Sequence, residues 1–175
     1  MDRIVILDQF LEPEEIQQAK SIIQKKGWHF GHKSTHIKDS ETPFWSMTLD
    51  DEEYFTKYLK GVIEKTVMKK LELNRVYANG QTFGQDGAFH TDDDDPDAYS
   101  FVLYLADIDP KDQDAAGGYF CVQLPENKFT MCYEPKFNRG MFFPSNYTHR
   151  ACSFTRYVMD LRIAVAWKLK LAKET

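Results

Sequence analysis

From Arg75 onward, short runs rich in aromatic and β-branched residues alternate with turns bearing Gly, Asn, Asp and Pro. That punctuation is the strongest constraint on the fold. Segments so short bury their apolar faces only by pairing into a sheet that curls or packs against a second sheet. The runs fall at 75–78, 81–83, 88–92, 99–106, 119–123, 128–133, 141–143 and 157–169. Asn79-Gly80 reads as a hairpin turn between the first two. Residues 84–87 read as a second turn, 93–97 as a solvated acidic turn and 107–116 as a polar loop.

The first part of the chain has a different texture. Residues 3–7 read as an opening strand. Pro13 followed by Glu14 and Glu15 starts a helix whose Ile16, Ala19, Ile22 and Ile23 form an apolar stripe, and Gly27 ends it. Residues 44–49 read as a short strand. Asp50, Asp51, Glu52 and Glu53 then read as the acidic start of a second helix reaching about Leu71, with Tyr54, Tyr58, Leu59, Val62, Ile63 and Val67 at helical spacing. The expected architecture is mainly β: a double-stranded, jelly-roll or cupin-like core with flanking helices. At 175 residues this is one domain, 1–175, with helical support over about 1–74 and the core over about 75–170.

His90 and Asp92 stand two apart, so on a strand both side chains leave one face. His149, in the run Ser145-Asn146-Tyr147-Thr148-His149, supplies a second imidazole. Two histidines and one carboxylate on one side of a metal, with the other positions open, suit non-haem Fe(II) chemistry. His29, His32 and His36 lack a carboxylate at fixed spacing and read as solvated loop residues, with a flap over a site as the other reading. Arg162 lies among Val158, Leu161, Ile163, Val165 and Trp167. A cation there is exposed at an edge, paired with an anion such as Asp160, or forked onto a ligand's carboxylate.

Charge and cysteine usage bound the partners and the compartment. A net charge of −5 and a pI near 5.5 speak against a surface built for a phosphate backbone. Cys121, Cys132 and Cys152 form no Cys-x-x-Cys pair and are odd in number, which reads as core thiols in a reducing, cytoplasmic setting. No secretory signal or membrane-length apolar run is expected.

Together these residues resemble the Fe(II)- and 2-oxoglutarate-dependent dioxygenases, specifically the prolyl 4-hydroxylase-like group. That pattern is a His-x-Asp, a distal His and a later basic residue, matched here by His90, Asp92, His149 and Arg162. Further matches are Tyr77-Ala78-Asn79-Gly80-Gln81-Thr82-Phe83, Tyr104-Leu105, Gly117-Gly118, the run from Gly140 to Ser145, Trp167, and the opening from Phe10 to Glu15. Departures are a longer spacing from Phe83 to His90, Arg162 lying thirteen residues past His149, and Tyr119 after the glycine pair. Arg156 is therefore a rival for the co-substrate's carboxylate.

The resemblance implies Fe(II) held by His90, Asp92 and His149, with 2-oxoglutarate and O₂ as co-substrates and ascorbate as an auxiliary reductant. It implies that Arg162 and Tyr77 contact 2-oxoglutarate, while Trp167 either shapes the pocket or is an ordinary core residue. The implied reaction hydroxylates a prolyl residue in a peptide or protein and releases succinate and CO₂. The substrate would cross beneath loops around 31–44 and 110–116. Oxidative demethylation of a nucleobase and a non-catalytic metal-binding barrel are the rival readings. Neither nucleic acid nor membrane is an expected partner, and the oligomeric state stays open.

Overall fold

The computed structural model describes residues 4–34, 42–124 and 129–173. Its elements in chain order are β1 (Val5–Leu7), α1 (Pro13–Lys25), β2 (His29–His32), β3 (Phe44–Thr48), a π-helical turn (Tyr54–Leu59) running into α2 (Lys60–Val67), β4 (Leu71–Gln81) and β5 (Ala98–Tyr104). A 3₁₀ turn (Pro110–Asp112), α3 (Gln113–Ala116), β6 (Phe120–Gln123), β7 (Thr130–Tyr133), β8 (Gly140–Pro144), β9 (His149–Ala151) and β10 (Arg162–Leu171) complete it. Seven strands form one antiparallel sheet in the order β1-β8-β5-β10-β4-β3-β2, and three form a second in the order β7-β6-β9. This is the double-stranded β-helix expected for the core.

Strand alternation sorts side chains between two layers. On the outer face of the large sheet, Val76, Ala78, Phe101, Leu103, Val165 and Trp167 pack with Ala19, Ile23, Phe55, Leu59 and Ile63 of the helical layer. Between the sheets, Tyr104, Phe120, Val122, Met141, Phe143 and Ala164 form a second cluster. The helices therefore stiffen one wall, and the opposite face of that wall is free to carry chemistry. α1 begins as expected: Pro13 occupies the first turn, and the Glu12 N–H donates to Glu15 Oε2 at 2.9 Å.

Several sequence expectations are corrected. Asn79-Gly80 makes no hairpin. β4 runs straight through it, pairing Gly80 with Ile163 on one side and Trp45 on the other. A Cβ at Gly80 would lie 2.6 Å from Leu161 Cδ2 and 3.0 Å from Trp28 Cζ3, so the absence of a side chain lets those two side chains pack over the strand. Residues 88–92 form no strand; a single antiparallel bridge joins His90 to His149. The second helix stops at Val67, where Met68 turns left-handed at φ 53° and Leu71 already begins β4. Asp50 does not cap that helix: its carboxylate accepts from the Val76 N–H at 2.6 Å and ties the loop to β4. His29 and His32 lie on β2 rather than in a loop. His36 lies outside the described residues, as do parts of the 31–44 loop and of the 128–133 run.

Cys121 and Cys132 are not free thiols. They face each other across β6 and β7 with a Cα separation of 4.0 Å and form a disulfide, while Cys152 is free and half-buried. The pairing follows from strand register, which residue counting does not reveal. It removes the argument from free thiols to a reducing compartment. Among the described residues no helix is long and apolar enough to cross a membrane.

Candidate metal centre and co-substrate cavity

His90 and His149 are locked together by their backbones. The His90 N–H donates to the His149 carbonyl at 3.0 Å, and the reverse bond spans 2.9 Å. Each ring is also fixed in rotation. His90 Nδ1 lies 2.9 Å from the Ala88 carbonyl, and His149 Nδ1 lies 2.8 Å from the Tyr147 carbonyl. A carbonyl only accepts, so each Nδ1 carries a hydrogen and each Nε2 is the ring nitrogen left to face a ligand. Both Nε2 atoms face Asp92: His90 Nε2 is 3.4 Å from Oδ1 and His149 Nε2 is 3.4 Å from Oδ2. The three ligand atoms lie within 4.8 Å of one another. Two imidazoles and a carboxylate converging on one point could hold a divalent transition metal on one side and leave its other side open.

Electrostatics favour the metal-binding protonation states. Burial pushes His149 down to about 4, so its ring is neutral near pH 7. For Asp92, burial is the largest influence and works to raise its pKa. The Lys168, His90 and His149 contributions outweigh it and hold the carboxyl well below its ordinary value. Asp92 Oδ2 accepts from Ser100 Oγ at 2.6 Å and from Lys168 Nζ. The Asp92 N–H donates to the Ser145 carbonyl at 2.9 Å. These partners orient the carboxylate as supporting groups do around a metal ligand.

The triad opens into a cavity of about 250 Å³. Its wall is the inner face of β4 and β10, whose register pairs Gln81 with Arg162, Asn79 with Ala164, Tyr77 with Ala166 and Arg75 with Lys168. β5 adds Val102 and Tyr104. Ala164 and Ala166 leave space where larger side chains would fill the floor. Arg162 is 1% exposed; its Nε donates to the Gly118 carbonyl at 2.8 Å and its Nη1 to Gln81 Oε1 at 2.9 Å. The guanidinium also lies 5.2 Å from the Tyr104 ring centre, and burial pushes the Tyr104 hydroxyl up to about 12. Arg162 Nη2 is buried without a hydrogen-bond partner, as is Asn79 Oδ1 on the same wall. An orphaned cationic donor lining a cavity is the complement of a carboxylate oxygen.

The structure thus brings together His90, Asp92, His149, Tyr77 and Arg162. Arg156 is not among them: it is exposed, lies over the Tyr157 ring and does not line the cavity. Asp160 is exposed and does not pair with Arg162. Of the two readings of Trp167, the core one holds: it does not line the cavity. It faces the helices, its Nε1 donating to the Phe55 carbonyl at 2.9 Å. Sequence reasoning missed Lys168, Ser100 and Gln81, and it set aside His32, which lines the cavity. Lys168 was findable, because it lies an even number of residues from Arg162 on one strand and so shares its face.

Comparison with known proteins places this geometry. Residues 73–167 match the family model described as 2OG-Fe(II) oxygenase superfamily. No curated protein matches. A solved prolyl-4-hydroxylase from Pseudomonas putida is similar over 97% of this chain and 94% of its own, with TM-score 0.72 and 15% identity. A prolyl hydroxylase from Trichoplax adhaerens, solved with a hypoxia inducible factor oxygen degradation domain peptide fragment, covers 95% and 83%, with TM-score 0.71 and 14% identity. The non-heme alpha-ketoglutarate-dependent epimerase SnoN from nogalamycin biosynthesis covers 98% and 78%, with TM-score 0.68 and 12% identity. At such identities these likenesses speak to the fold, which hosts more than one reaction. The family match spans more than half of the chain and contains the triad and Arg162, so this chain belongs to the 2OG-Fe(II) oxygenase superfamily, whose members work with Fe(II), 2-oxoglutarate and O₂.

Proposed function

We infer that this chain is a dioxygenase that hydroxylates a prolyl residue in a peptide or protein, with release of succinate and CO₂. The observation that carries the cofactor part is the buried, unpartnered Arg162 Nη2 on the wall of the cavity that holds the His90–Asp92–His149 cluster. The prolyl part rests on the prolyl hydroxylases among the similar structures, one of them solved with a peptide.

In this reading His90, Asp92 and His149 hold Fe(II). The bound iron supplies the O₂ activation and hydrogen abstraction that no side chain here could perform. The chain's own work is positioning. The carbonyls of Ala88 and Tyr147 fix both imidazole tautomers, while Ser100 and Lys168 fix Asp92 Oδ2. Arg162 receives the far carboxylate of 2-oxoglutarate, with Gln81 and Gly118 holding the guanidinium in place. Tyr77 lines the same space. Ala164 and Ala166 leave room for the co-substrate, and the apolar Val102 and Phe120 limit water. Ascorbate as auxiliary reductant belongs to the same proposal.

The test is succinate formation by Fe(II)-loaded protein with 2-oxoglutarate and O₂, with and without proline-containing peptides. Stimulation by such peptides, with a mass gain of one oxygen on proline, is the expected result. Turnover that no proline peptide stimulates would remove the prolyl assignment.

A further inference from the structure

The cavity's charge does not match that of the protein. The chain carries a net −5, yet the side chains lining the cavity include four cations, Lys33, Arg75, Arg162 and Lys168, against the single carboxylate of Asp92. Two of the four are accounted for. Lys168 pairs with Asp92, and Arg162 is the buried end assigned to the co-substrate. Lys33 and Arg75 have no carboxylate partner among the described residues. Arg75 is exposed at the mouth, and its register places it directly opposite Lys168, whose ammonium sits on Asp92. The Arg75 guanidinium lies 5.0 Å from the Tyr77 ring centre, and Lys168 Nζ lies 5.8 Å from the same ring. That stacking holds the Arg75 fork at the rim, where its donors stay available.

We propose that Lys33 and Arg75 form a subsite for a carboxylate on the substrate, so that the peptide accepted here carries an Asp or Glu a few residues from the residue oxidised. The proposal rests on the oxygenase reading and adds a specificity to it. Arg75 stands one strand spacing, about 5 Å, from Lys168. An anion gripped there is within about three extended residues of a group poised at the triad. A long polyanion fits poorly. Asp93, Asp94 and Asp97, all exposed, lie within five residues after Asp92 and would repel a phosphate backbone within about 8 Å. One carboxylate on an otherwise uncharged segment meets the cations without running along the acidic stretch.

The experiment compares two fluorescently labelled proline-containing peptides that differ only in Glu versus Gln two residues from the proline. Binding is followed by anisotropy and turnover by succinate release. The Glu peptide is expected to bind and turn over with a Kd and KM about tenfold lower, the advantage shrinking as salt rises. Lys33→Glu combined with Arg75→Glu is expected to invert the preference towards a peptide with Lys at that position. A merely structural role for these residues would not produce that inversion. Lys33→Gln and Arg75→Gln serve if the double variant does not fold. Equal binding of the Glu and Gln peptides by wild type overturns the proposal. So does tighter, more steeply salt-dependent binding of a single-stranded oligonucleotide. Succinate made by wild type without any peptide reports separately on the oxygenase reading. If no succinate is made by Fe(II)-loaded wild type with or without the peptides while the Glu preference in binding persists, that reading falls and the carboxylate subsite stands.

Discussion

Replacing Arg162 with Met should separate co-substrate binding from folding. In the native site two guanidinium nitrogens are committed to Gly118 and Gln81, and the buried Nη2 is left for a ligand. One charge-assisted hydrogen bond in such a place contributes about 1.5–3 kcal/mol, or roughly tenfold to 150-fold in affinity. Because the site is fully desolvated, a ligand carboxylate left there without its cation adds to the loss, up to about 4 kcal/mol or a thousandfold. Stability should respond less. The variant strands one carbonyl and one amide oxygen but also removes a buried cation, and these effects oppose each other to within about 2 kcal/mol. The assay is anaerobic calorimetry of 2-oxoglutarate binding to Fe(II)-loaded protein, beside urea unfolding. Arg156→Met, an exposed position away from the cavity, should bind as wild type does. If Arg162→Met binds 2-oxoglutarate within about threefold of wild type, the carboxylate-clamp reasoning is wrong.

Three further outcomes are expected. Without metal, the protein should lose stability as pH falls from about 6.5 to 4, because the unfolded chain protonates His149 before the folded one does. The full loss is about 3 kcal/mol, with a second loss below the ordinary Asp range as Asp92 is forced to protonate, and His149→Gln should flatten the first limb in a urea–pH series. Lys168→Met should cost the metal-free protein about 3 kcal/mol by stranding the buried Asp92 carboxylate. Its thermal stabilisation by added Fe(II) should then exceed that of wild type; an unchanged metal-induced Tm shift would contradict the pairing. Trp167→Phe should destabilise the fold by about 2 kcal/mol through loss of the bond to the Phe55 carbonyl, with 2-oxoglutarate affinity unchanged in calorimetry.

The site was readable in the sequence because its chemistry is concentrated in a few residue types at fixed spacing, and because Arg162 stood out as a charge in an apolar strand. The same reasoning, carried along β10 with a period of two, would have moved Trp167 to the outer face and found Lys168 on the inner one. Other errors came from contacts that only the assembled sheet creates. Asn79-Gly80 has the composition of a turn, but in the assembled sheet the glycine lies in a continuous strand with Leu161 and Trp28 packed closely over it. Cys121 and Cys132 are eleven residues apart, and only the register of β6 with β7 sets them face to face. His32 read as loop chemistry because β2 has an exposed face and little apolar patterning. The barrel itself was legible because most of its strands are short and bounded by turn residues, and because the two longer helices, α1 and α2, precede β4.

The most direct test of the account is O₂-dependent succinate release from 2-oxoglutarate by Fe(II)-loaded wild type, Asp92→Asn and His149→Ala, with metal content measured in each. The account predicts succinate from wild type alone, with both variants losing iron. Succinate from either variant at the wild-type rate, or none from a fully iron-loaded wild type with proline peptides present, would contradict it.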